Sequence, residues 1–275
     1  MSSKKPTISI IVSTYNQPDA LNLILFAFNE QDIDGFEVIV ADDGSTEETK
    51  EVVELLKSKV NYNIKHVWHP DKGFRISTIR NKAVALANGE YLIFLDGDTV
   101  PNKSFIRKQK ELAEKGYFVS SNRILLSPDL TEKILTNQLP IYRWSTWKWF
   151  YLFCQRKIDR FHSLIYLGGN KAFWRYSRKT KWKRARILAM WKKDFLRVNG
   201  FDESFHGWGS EDSDIVVRLI RHGVLRKEGR HAVLPAFHLY HHITSREHAD
   251  INRKQLEEVL NSSRIKAKLG VDQYL

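Results

Sequence analysis

Short apolar runs rich in β-forming residues alternate with longer helical patterns through the first part of the chain, and this alternation restricts the fold more than any other feature. Near-continuous apolar runs are typical of strands that are covered on both faces. Strands that alternate with helices predict βαβ units in a mostly parallel sheet. The predicted strands are Ile8–Thr14, Phe36–Asp42, Asn63–His69 and Tyr91–Leu95. We therefore expect an α/β fold whose mostly parallel central sheet is flanked by helices.

The helical patterns and the later strands complete the map of the chain. Helices are predicted at Pro18–Glu30, Thr46–Ser58, Ser77–Ala87, Ser104–Lys115, from Ser210 to His222, and from about Arg246 to Leu269. A strand is predicted at Tyr117–Ser121, and a short apolar run lies at Leu164–Leu167. No repeat or low-complexity linker divides the 275 residues, so we expect one compact domain with successive regions 1–101, 102–245 and 246–275.

Composition excludes several classes of protein. The chain is 42% hydrophobic and 28% charged, as expected for a globular protein with a sizeable core. Cys154 is its one cysteine, so the chain cannot form an internal disulfide or a thiolate zinc site. Its apolar stretches are too short to cross a bilayer, and residues 1–6 contain no secretory h-region. We therefore expect a cytoplasmic protein.

Positive charge is concentrated in one segment. The net charge is +12, but residues 137–200 hold 16 Lys and Arg against Asp159 and Asp194, a local charge of +14. This composition suits an anionic membrane surface, and nucleic acid would accept the same features. The alternative is that many of the segment's tryptophans lie in the core while the cations solvate its rim. Those six tryptophans are Trp144, Trp147, Trp149, Trp174, Trp182 and Trp191.

Polar clusters follow three of the predicted strands. They are Thr14-Tyr15-Asn16, Asp42-Asp43-Gly44-Ser45 and Asp96-Gly97-Asp98. The carboxyl ends of parallel strands meet at one edge of the sheet, which is where open α/β sheets bind ligands. Each acidic cluster alone also fits a turn or a helix cap. Together they favour a site that holds Mg²⁺ or Mn²⁺ with the diphosphate of a substrate.

Three histidines in the second half could complete such a site. His238, His241 and His242 follow an apolar stretch within five residues of one another. An imidazole offers a neutral ligand to a cation that carboxylates also hold, whereas a lone histidine is more often structural. The spacing therefore favours a metal site and leaves open which of the three histidines binds.

A second acidic cluster lies just after a glycine-flanked tryptophan. Trp208 stands between two glycines, and Glu211 and Asp212 follow. An indole stacks on the apolar face of a sugar while carboxylates accept its hydroxyl protons, so the cluster is a candidate sugar site. The alternative is a plain helix start, in which Ser210 is the N-cap and the carboxylates complement the helix dipole.

These motifs resemble the family-2, GT-A-fold nucleotide-sugar glycosyltransferases. The matching segments read, in order, IIVSTYNQPDAL, VIVADDGSTEET, GFRISTIRNKAVALANGEYLIFLDGD and GWGSEDSD, and they cover roughly residues 7–101 and 164–242. The second half is similar to the module shared by β-1,4-galactosyltransferases and bacterial chondroitin-type polymerases, on YLGGNKAFWR, GFDESFHGWGSEDSD and HLYHH. The resemblance implies a GT-A fold, with a Rossmann-like sheet and a smaller acceptor-side subregion. Residues 122–163 have no counterpart in the family.

The resemblance also implies roles for individual residues. Asp96-Gly97-Asp98 would be the DXD motif, with Asp98 and His241 as metal ligands, and His238 would join them if the ligands are spaced three apart. Asp43 would contact the nucleoside. The donor-side positions in full are Thr14, Tyr15, Asn16, Asp43, Phe74, Arg75, Arg80, Asn81, Asp96 and Gly97, although a solvated helix face is an alternative for Arg80.

On the acceptor side, the resemblance implies that Gly169, Trp208 and Glu211 contact the acceptor and that Asp212 is the catalytic base. The implied reaction transfers a hexose or N-acetylhexosamine from a UDP-sugar to a glycan hydroxyl with inversion of configuration. Mn²⁺ or Mg²⁺ is the implied cofactor, and a bacterial capsule, lipopolysaccharide or other surface glycan, free or lipid-linked, is the implied acceptor. We expect no nucleic-acid partner, and a location that is cytoplasmic or peripheral on the inner face of the membrane. The alternatives are a nucleic-acid-binding protein and an inactive sugar-binding subunit.

Overall fold

A computed structural model describes residues 8–164, 174–177, 186–229, 236–241 and 247–275 of the chain. Two of the residues singled out above, Gly169 and His242, lie outside these ranges, as do Trp182 and most of the run Leu164–Leu167. The strands are β1 (Ile8–Thr14), β2 (Phe36–Asp42), β3 (Asn63–Trp68), β4 (Tyr91–Asp96), β5 (Thr99–Pro101), β6 (Tyr117–Ser121), β7 (Ile124–Leu125), β8 (Trp174–Ser177), β9 (Ile187–Trp191), β10 (Leu225–Gly229) and β11 (Ala236–His238).

Helices connect these strands and cover both faces of the sheet. They are α1 (Pro18–Asn29), α2 (Glu47–Lys57), α3 (Ile76–Ala85), α4 (Phe105–Leu112), α5 (Pro128–Thr136), α6 (Thr146–Cys154), α7 (Lys192–Arg197), α8 (Glu211–Arg221) and α9 (Ala249–Asn261). The helices and strands predicted for the first half are confirmed to within about two residues at most ends, the usual uncertainty at element ends.

Within the described residues, the central sheet contains eight strands in the order β3-β2-β1-β4-β9-β6-β10-β8. Its first four strands are parallel, as predicted, and β9 runs antiparallel between β4 and β6. A smaller sheet, β5-β11-β7, lies beyond the end of β4. In the β1 register, Thr14 is opposite Asp42 and Ser13 is opposite Asp96, so the three polar clusters lie at one edge of the sheet. The predicted α/β architecture is confirmed.

Side chains of the buried strands alternate between two cores. On β1, Ile10 and Val12 pack on one side with α1 and α2, and Ile11 packs on the other side with α3, α7 and α8. This burial on both faces explains why the strands read as continuous apolar runs.

The C-terminal helix is shorter than predicted. Helix α9 ends at Asn261 because Ser262 adopts an extended conformation. The chain then returns to the body of the protein, where the Ala267 amide donates to the Val198 carbonyl and Arg264 pairs with the buried Asp202 and Asp214. Apolar spacing alone cannot separate these tertiary contacts from another helical turn.

The tryptophans of the basic segment do not share one environment. Trp149 and Trp191 are buried in the core, and Trp144 packs against it, so the alternative that tryptophans of this segment lie in the core is confirmed for these three. Trp149 stacks on Phe237 of β11 with ring centroids 4.0 Å apart. Trp147, by contrast, is 77% exposed. In the part of the chain that the structure describes, no helix combines the length and the apolar character needed to cross a bilayer.

Candidate active site

A cleft of about 540 Å³ opens at the carboxyl edge of β1, β2 and β4. It brings together most of the residues that the sequence predicts for donor, metal and acceptor. From that set, the lining includes Thr14, Tyr15, Asp43, Phe74, Arg80, Asp96, Gly97, Asp98, Trp208, Glu211, Asp212 and His241. Topology explains the meeting, because the first half supplies the ends of parallel strands and the second half supplies α8 and the chain after β11.

Asp98 and two histidines form a compact cluster that could hold a metal ion. Asp98 Oδ2 lies 3.3 Å from His238 Nε2 and 3.1 Å from His241 Nε2. Within the described ranges, these three residues are the group of possible ligands whose atoms lie within 4.8 Å of one another. Burial alone would raise the pKa of Asp98, but the two imidazoles lower it well below its usual range.

The small sheet creates this cluster. Strand β11 pairs with β5, where His238 is opposite Thr99, and the Leu239 amide donates to the Asp98 carbonyl. His238 Nε2 is buried and lies 3.3 Å from Asp98 Oδ2, but it is not aligned to form a hydrogen bond with it, as expected of a nitrogen that is aimed at a ligand site. One carboxylate and two imidazoles suit a first-row divalent cation such as Mn²⁺. The residues present therefore fit a metal, and His238 joins the cluster as well as His241.

Gly97 is required between the two aspartates by close packing against β1. Its amide donates to the Ser13 carbonyl at 2.6 Å, and a Cβ atom at this position would lie 2.7 Å from the same oxygen. The chain therefore turns at the end of β4 with Asp96 and Asp98 both lining the cleft.

Arg80 links the strand edge to the acidic cluster on α8. Its guanidinium donates to Ser13 Oγ at 3.0 Å, to Asp96 Oδ1 at 2.9 Å and to Asp212 Oδ1 at 3.1 Å. Arg80 is only 4% exposed, so the alternative of a solvated helix face is wrong. Asp96 and Asp212 are far apart in sequence, and Arg80 holds them in one network.

Sequence reasoning missed Arg123, which lies in the loop before β7 and approaches Asp96 and Asp98. Its Nη1 contacts Asp96 Oδ2, lies 3.2 Å from Thr99 Oγ1 and lies 3.4 Å from Asp98 Oδ1. A lone arginine outside the recognised motifs gives no signal of its own. The signal available was its position directly after the predicted strand Tyr117–Ser121.

The acidic cluster on α8 is not an ordinary helix start. Ser210 occupies the N-cap position as predicted, but it has φ of 73° and its side chain makes no cap hydrogen bond. Burial raises the pKa of Glu211, whose Oε2 is buried without a hydrogen-bond partner. Burial, reinforced by the charge of Glu211 and opposed by that of Arg80, raises the pKa of Asp212 to about 7. A carboxyl group that titrates near neutral pH is suited to proton transfer.

Helix α9 supports the tryptophan loop in front of α8. Asn252 is buried, and its Nδ2 donates to the His206 carbonyl at 2.9 Å and to the Trp208 carbonyl at 3.3 Å. Gly207 has φ of +69°, and a Cβ atom there would lie 2.7 Å from the His248 ring. The loop that carries Trp208 is therefore held by Asn252 of α9 and packs closely against His248, the residue before that helix.

Asp43 lies on the opposite wall of the cleft. Its Oδ1 is 2.6 Å from His69 Nε2, a partner that the sequence analysis missed, and its Oδ2 accepts the Arg75 amide at 2.8 Å. Burial raises the pKa of Asp43 and lowers that of His69. Tyr15 lines the same wall and donates its hydroxyl to Asp71 at 2.8 Å.

Three predicted donor residues are not brought into the lining. Asn16, at φ of 48°, accepts the Thr46 amide through its side-chain oxygen and so joins the loop after β1 to the start of α2. The Arg75 guanidinium donates to the Pro70 carbonyl. Asn81 is fully buried and bonds the Phe201 carbonyl and amide, so it holds α3 against the second half. Their contacts are with the protein itself.

Comparison with known proteins gives two family matches. The family described as glycosyl transferase family 2 matches residues 9–180, and the one described as the N-terminal domain of galactosyltransferase matches residues 166–242. The first match covers more than half of the chain and contains Asp96-Gly97-Asp98, and the second contains the acidic cluster and the histidines. The first match also spans residues 122–163, so the expectation that this segment has no counterpart in the family is wrong.

The chain is also similar to individual enzymes. Validoxylamine A glucosyltransferase from Streptomyces hygroscopicus subsp. jinggangensis is 28% identical over 237 residues, which cover 81% of this chain and 53% of the relative. Chondroitin synthase from Escherichia coli is 28% identical over 252 residues, covering 78% of this chain and 32% of the relative. The chain thus spans about half or less of the length of these relatives.

Among solved structures, the mannosyltransferase PcManGT from Pyrobaculum calidifontis, in complex with GDP-Man and Mn²⁺, has a similar fold. Its TM-score is 0.60 at 19% sequence identity, covering 94% of this chain and 66% of that one. At this identity the similarity establishes the fold, which is that of a GT-A-like glycosyltransferase.

Proposed function

This chain belongs to glycosyl transferase family 2, and from that premise we propose that it transfers a hexose or an N-acetylhexosamine from UDP to a hydroxyl of a glycan, with inversion at the anomeric carbon. The observation that carries the proposal is the cleft itself, which holds a possible metal cluster and a carboxyl group of raised pKa on neighbouring walls. The complex of PcManGT with GDP-Man and Mn²⁺ and the chondroitin synthase relative support a nucleotide-sugar donor and a glycan acceptor.

The proposed donor side is the wall formed by β1, β2 and β4. Asp43 accepts hydrogen bonds from the nucleoside, with Thr14, Tyr15 and Phe74 beside it in the lining. Asp98, His238 and His241 would hold Mn²⁺ or Mg²⁺, and the cation would supply positive charge to neutralise the diphosphate. Arg80 and Arg123 hold Asp96 in position, and as cations in the cleft they favour the charge that develops on the leaving UDP.

The proposed acceptor side is the α8 wall. Trp208 stacks on the acceptor sugar and Glu211 accepts a hydrogen bond from one of its hydroxyl groups, while Gly169 stays an acceptor prediction from the sequence. The acceptor oxygen forms a bond to the anomeric carbon as the bond from that carbon to the diphosphate breaks. The electron pair leaves with UDP, and the hydroxyl proton moves to Asp212. Because attack comes from the face opposite the diphosphate, the configuration inverts.

The acceptor class is a bacterial surface glycan, as in a capsule, lipopolysaccharide or related polymer. The proposal includes a lipid-linked acceptor and hence a peripheral location on the inner face of the membrane. Residues 1–101 supply most of the donor wall and residues 102–245 most of the acceptor wall, so the two proposed functions divide along the chain.

Calorimetric titration of the purified protein with UDP and with GDP, each with and without Mn²⁺, tests the donor and the metal. We expect UDP to bind tightly only with Mn²⁺ and GDP to bind more weakly. Asp98→Ala should abolish the increase in UDP affinity that Mn²⁺ causes. Asp34→Ala, which removes an exposed carboxylate, should leave that increase unchanged. Equal UDP affinity with and without Mn²⁺ would reject the metal assignment, and tighter binding of GDP would reject the uridine donor.

A hydrolysis screen over UDP-sugars then identifies the sugar without knowledge of the acceptor. Asp212→Asn should leave UDP binding intact and lower kcat by about 10²-fold or more, since the amide keeps the shape but cannot take the proton. Loss of UDP binding in this variant would instead assign Asp212 a structural role.

A further inference from the structure

Helix α6 presents a row of aromatic side chains to solvent. Trp147 is 77% exposed, Tyr151 62%, Phe150 42% and Phe153 39%. Trp147, Phe150 and Tyr151 follow the three- and four-residue spacing of one helical face. Trp149 and Leu152 point the other way and are buried. We call the exposed set, Trp147, Phe150, Tyr151 and Phe153, the aromatic face of α6.

This face is rigidly attached to the body of the protein. Trp149 stacks on Phe237, and Phe150 packs edge-on against Phe161 with ring centroids 5.2 Å apart. The Ser145 hydroxyl caps the helix by accepting the Lys148 amide. The exposed rings are therefore held outward by a helix whose inner face is part of the main core.

The aromatic face lies beside two exposed cations, Lys148 and Arg156. Residues 141–164 contain five Lys and Arg and one Asp, but Arg143 pairs with Glu30, Lys157 with Asp129 and Arg160 with Asp159. Lys148 lies beside the face with its ammonium 3.6 Å from the centre of the Trp144 ring, and Arg156 follows the helix. Within the described part of the chain, neither Lys148 nor Arg156 forms a salt bridge, whereas Arg160 pairs with Asp159.

Amphipathic aromatic rings flanked by cations match the interface of an anionic bilayer. Tryptophan and tyrosine settle at the level of the lipid headgroups, and nearby lysine and arginine side chains are attracted to anionic lipids. A face of one nine-residue helix is small for a stable protein interface, which needs about 800 Å² on each partner. Membrane binding is different, because each inserted side chain adds to the binding free energy and the lipid surface need not be complementary in shape.

We infer that the aromatic face of α6 docks the protein on an anionic membrane surface, with Lys148 and Arg156 in contact with lipid phosphates. Docking itself requires no catalysis, but its benefit rests on the proposed function. Trp149 of α6 stacks on Phe237, the residue before His238, so one short strand joins the docking helix to the metal cluster. The helix would thereby fix the position of the cleft relative to a lipid-linked acceptor.

Co-sedimentation of the full chain with vesicles tests the inference. We expect binding to phosphatidylglycerol vesicles, little binding to phosphatidylcholine vesicles, and release at high salt. The double variant Trp147→Ala/Tyr151→Ala should bind phosphatidylglycerol at least about tenfold more weakly, because two interfacial rings are lost. Lys148→Gln/Arg156→Gln should also weaken binding and reduce its dependence on salt.

Leu86→Ala is the matched control, since it removes a 52% exposed apolar side chain at the end of α3, in the helix layer on the other face of the sheet. Circular dichroism and Mn²⁺-dependent UDP binding should be unchanged in the α6 variants, which separates docking from the proposed function. Wild-type binding by the Trp147→Ala/Tyr151→Ala protein would overturn the inference. So would self-association in sedimentation velocity that this double variant abolishes, because the face would then join two copies of the chain.

Discussion

Replacing Asp212 by Asn should stabilise the protein while it removes the proposed base. Burial and the neighbouring Glu211 raise the pKa of Asp212 from 3.8 to about 7. The folded protein therefore binds a proton more tightly than the unfolded chain does, and stability falls as the pH rises from about 4 to about 7. Above pH 7 the folded state carries the full cost of ionising this carboxyl group. An amide of the same shape avoids that cost and still accepts a hydrogen bond from Arg80.

The size of the effect follows from the pKa difference. About three pH units at about 1.4 kcal/mol each set an upper bound of about 4 kcal/mol. The side chain is 30% exposed and interacts with Glu211, so solvent screening reduces the expected gain to about 2 kcal/mol at pH 8. At pH 5 only the interval between 3.8 and 5 contributes, so the gain should fall to roughly a third of its value at pH 8.

Urea unfolding followed by tryptophan fluorescence measures this gain, with metal removed by a chelator so that only the protein's own charges act. The control is Asp34→Asn, at an exposed carboxylate, which should give no gain that depends on pH. An Asp212→Asn protein that is less stable than wild type at pH 8 would refute the reasoning. A gain of equal size at pH 5 and pH 8 would also refute it, because the cost of ionisation would not be its source.

Three further predictions concern the same cleft. The rate at limiting donor, kcat/KM, should fall below pH 7 with a midpoint near the Asp212 pKa of about 7, and a flat profile between pH 6 and 8 would exclude this group as the base. His238→Ala and His241→Ala should each weaken Mn²⁺ binding in calorimetry, since both nitrogens lie within 3.3 Å of Asp98 Oδ2; a wild-type affinity in either variant removes that ligand. Arg123→Met should strengthen Mn²⁺ binding in the absence of nucleotide, because the guanidinium competes for Asp96 and Asp98, and weaken UDP binding in its presence. If the Arg123→Met protein binds Mn²⁺ and UDP with wild-type affinities, Arg123 affects neither ligand.

Local sequence was sufficient for the fold of the first half. Strand and helix periods are set by neighbouring residues, so the buried runs at Ile8–Thr14 and Tyr91–Asp96 could be recognised without knowledge of their partners. Parallel strands carry their carboxyl ends to a common edge, so the presence of Asp43 and Asp98 in one cleft followed from the order of elements alone. The motif around Trp208 likewise indicated residues that line the cleft, although its role toward an acceptor stays a prediction.

Contacts between distant residues were decided by tertiary structure. The length of α9 and the burial of Trp149 depend on contacts with distant parts of the chain. A pattern of apolar residues shows that a surface will be covered but does not show which residues will cover it. Arg123 carried no motif because its two carboxylate partners come from a different strand. The raised pKa of Asp212 is likewise a property of the assembled cleft, because burial by the surrounding chain and the charges of Glu211 and Arg80 act on it only once the chain has folded.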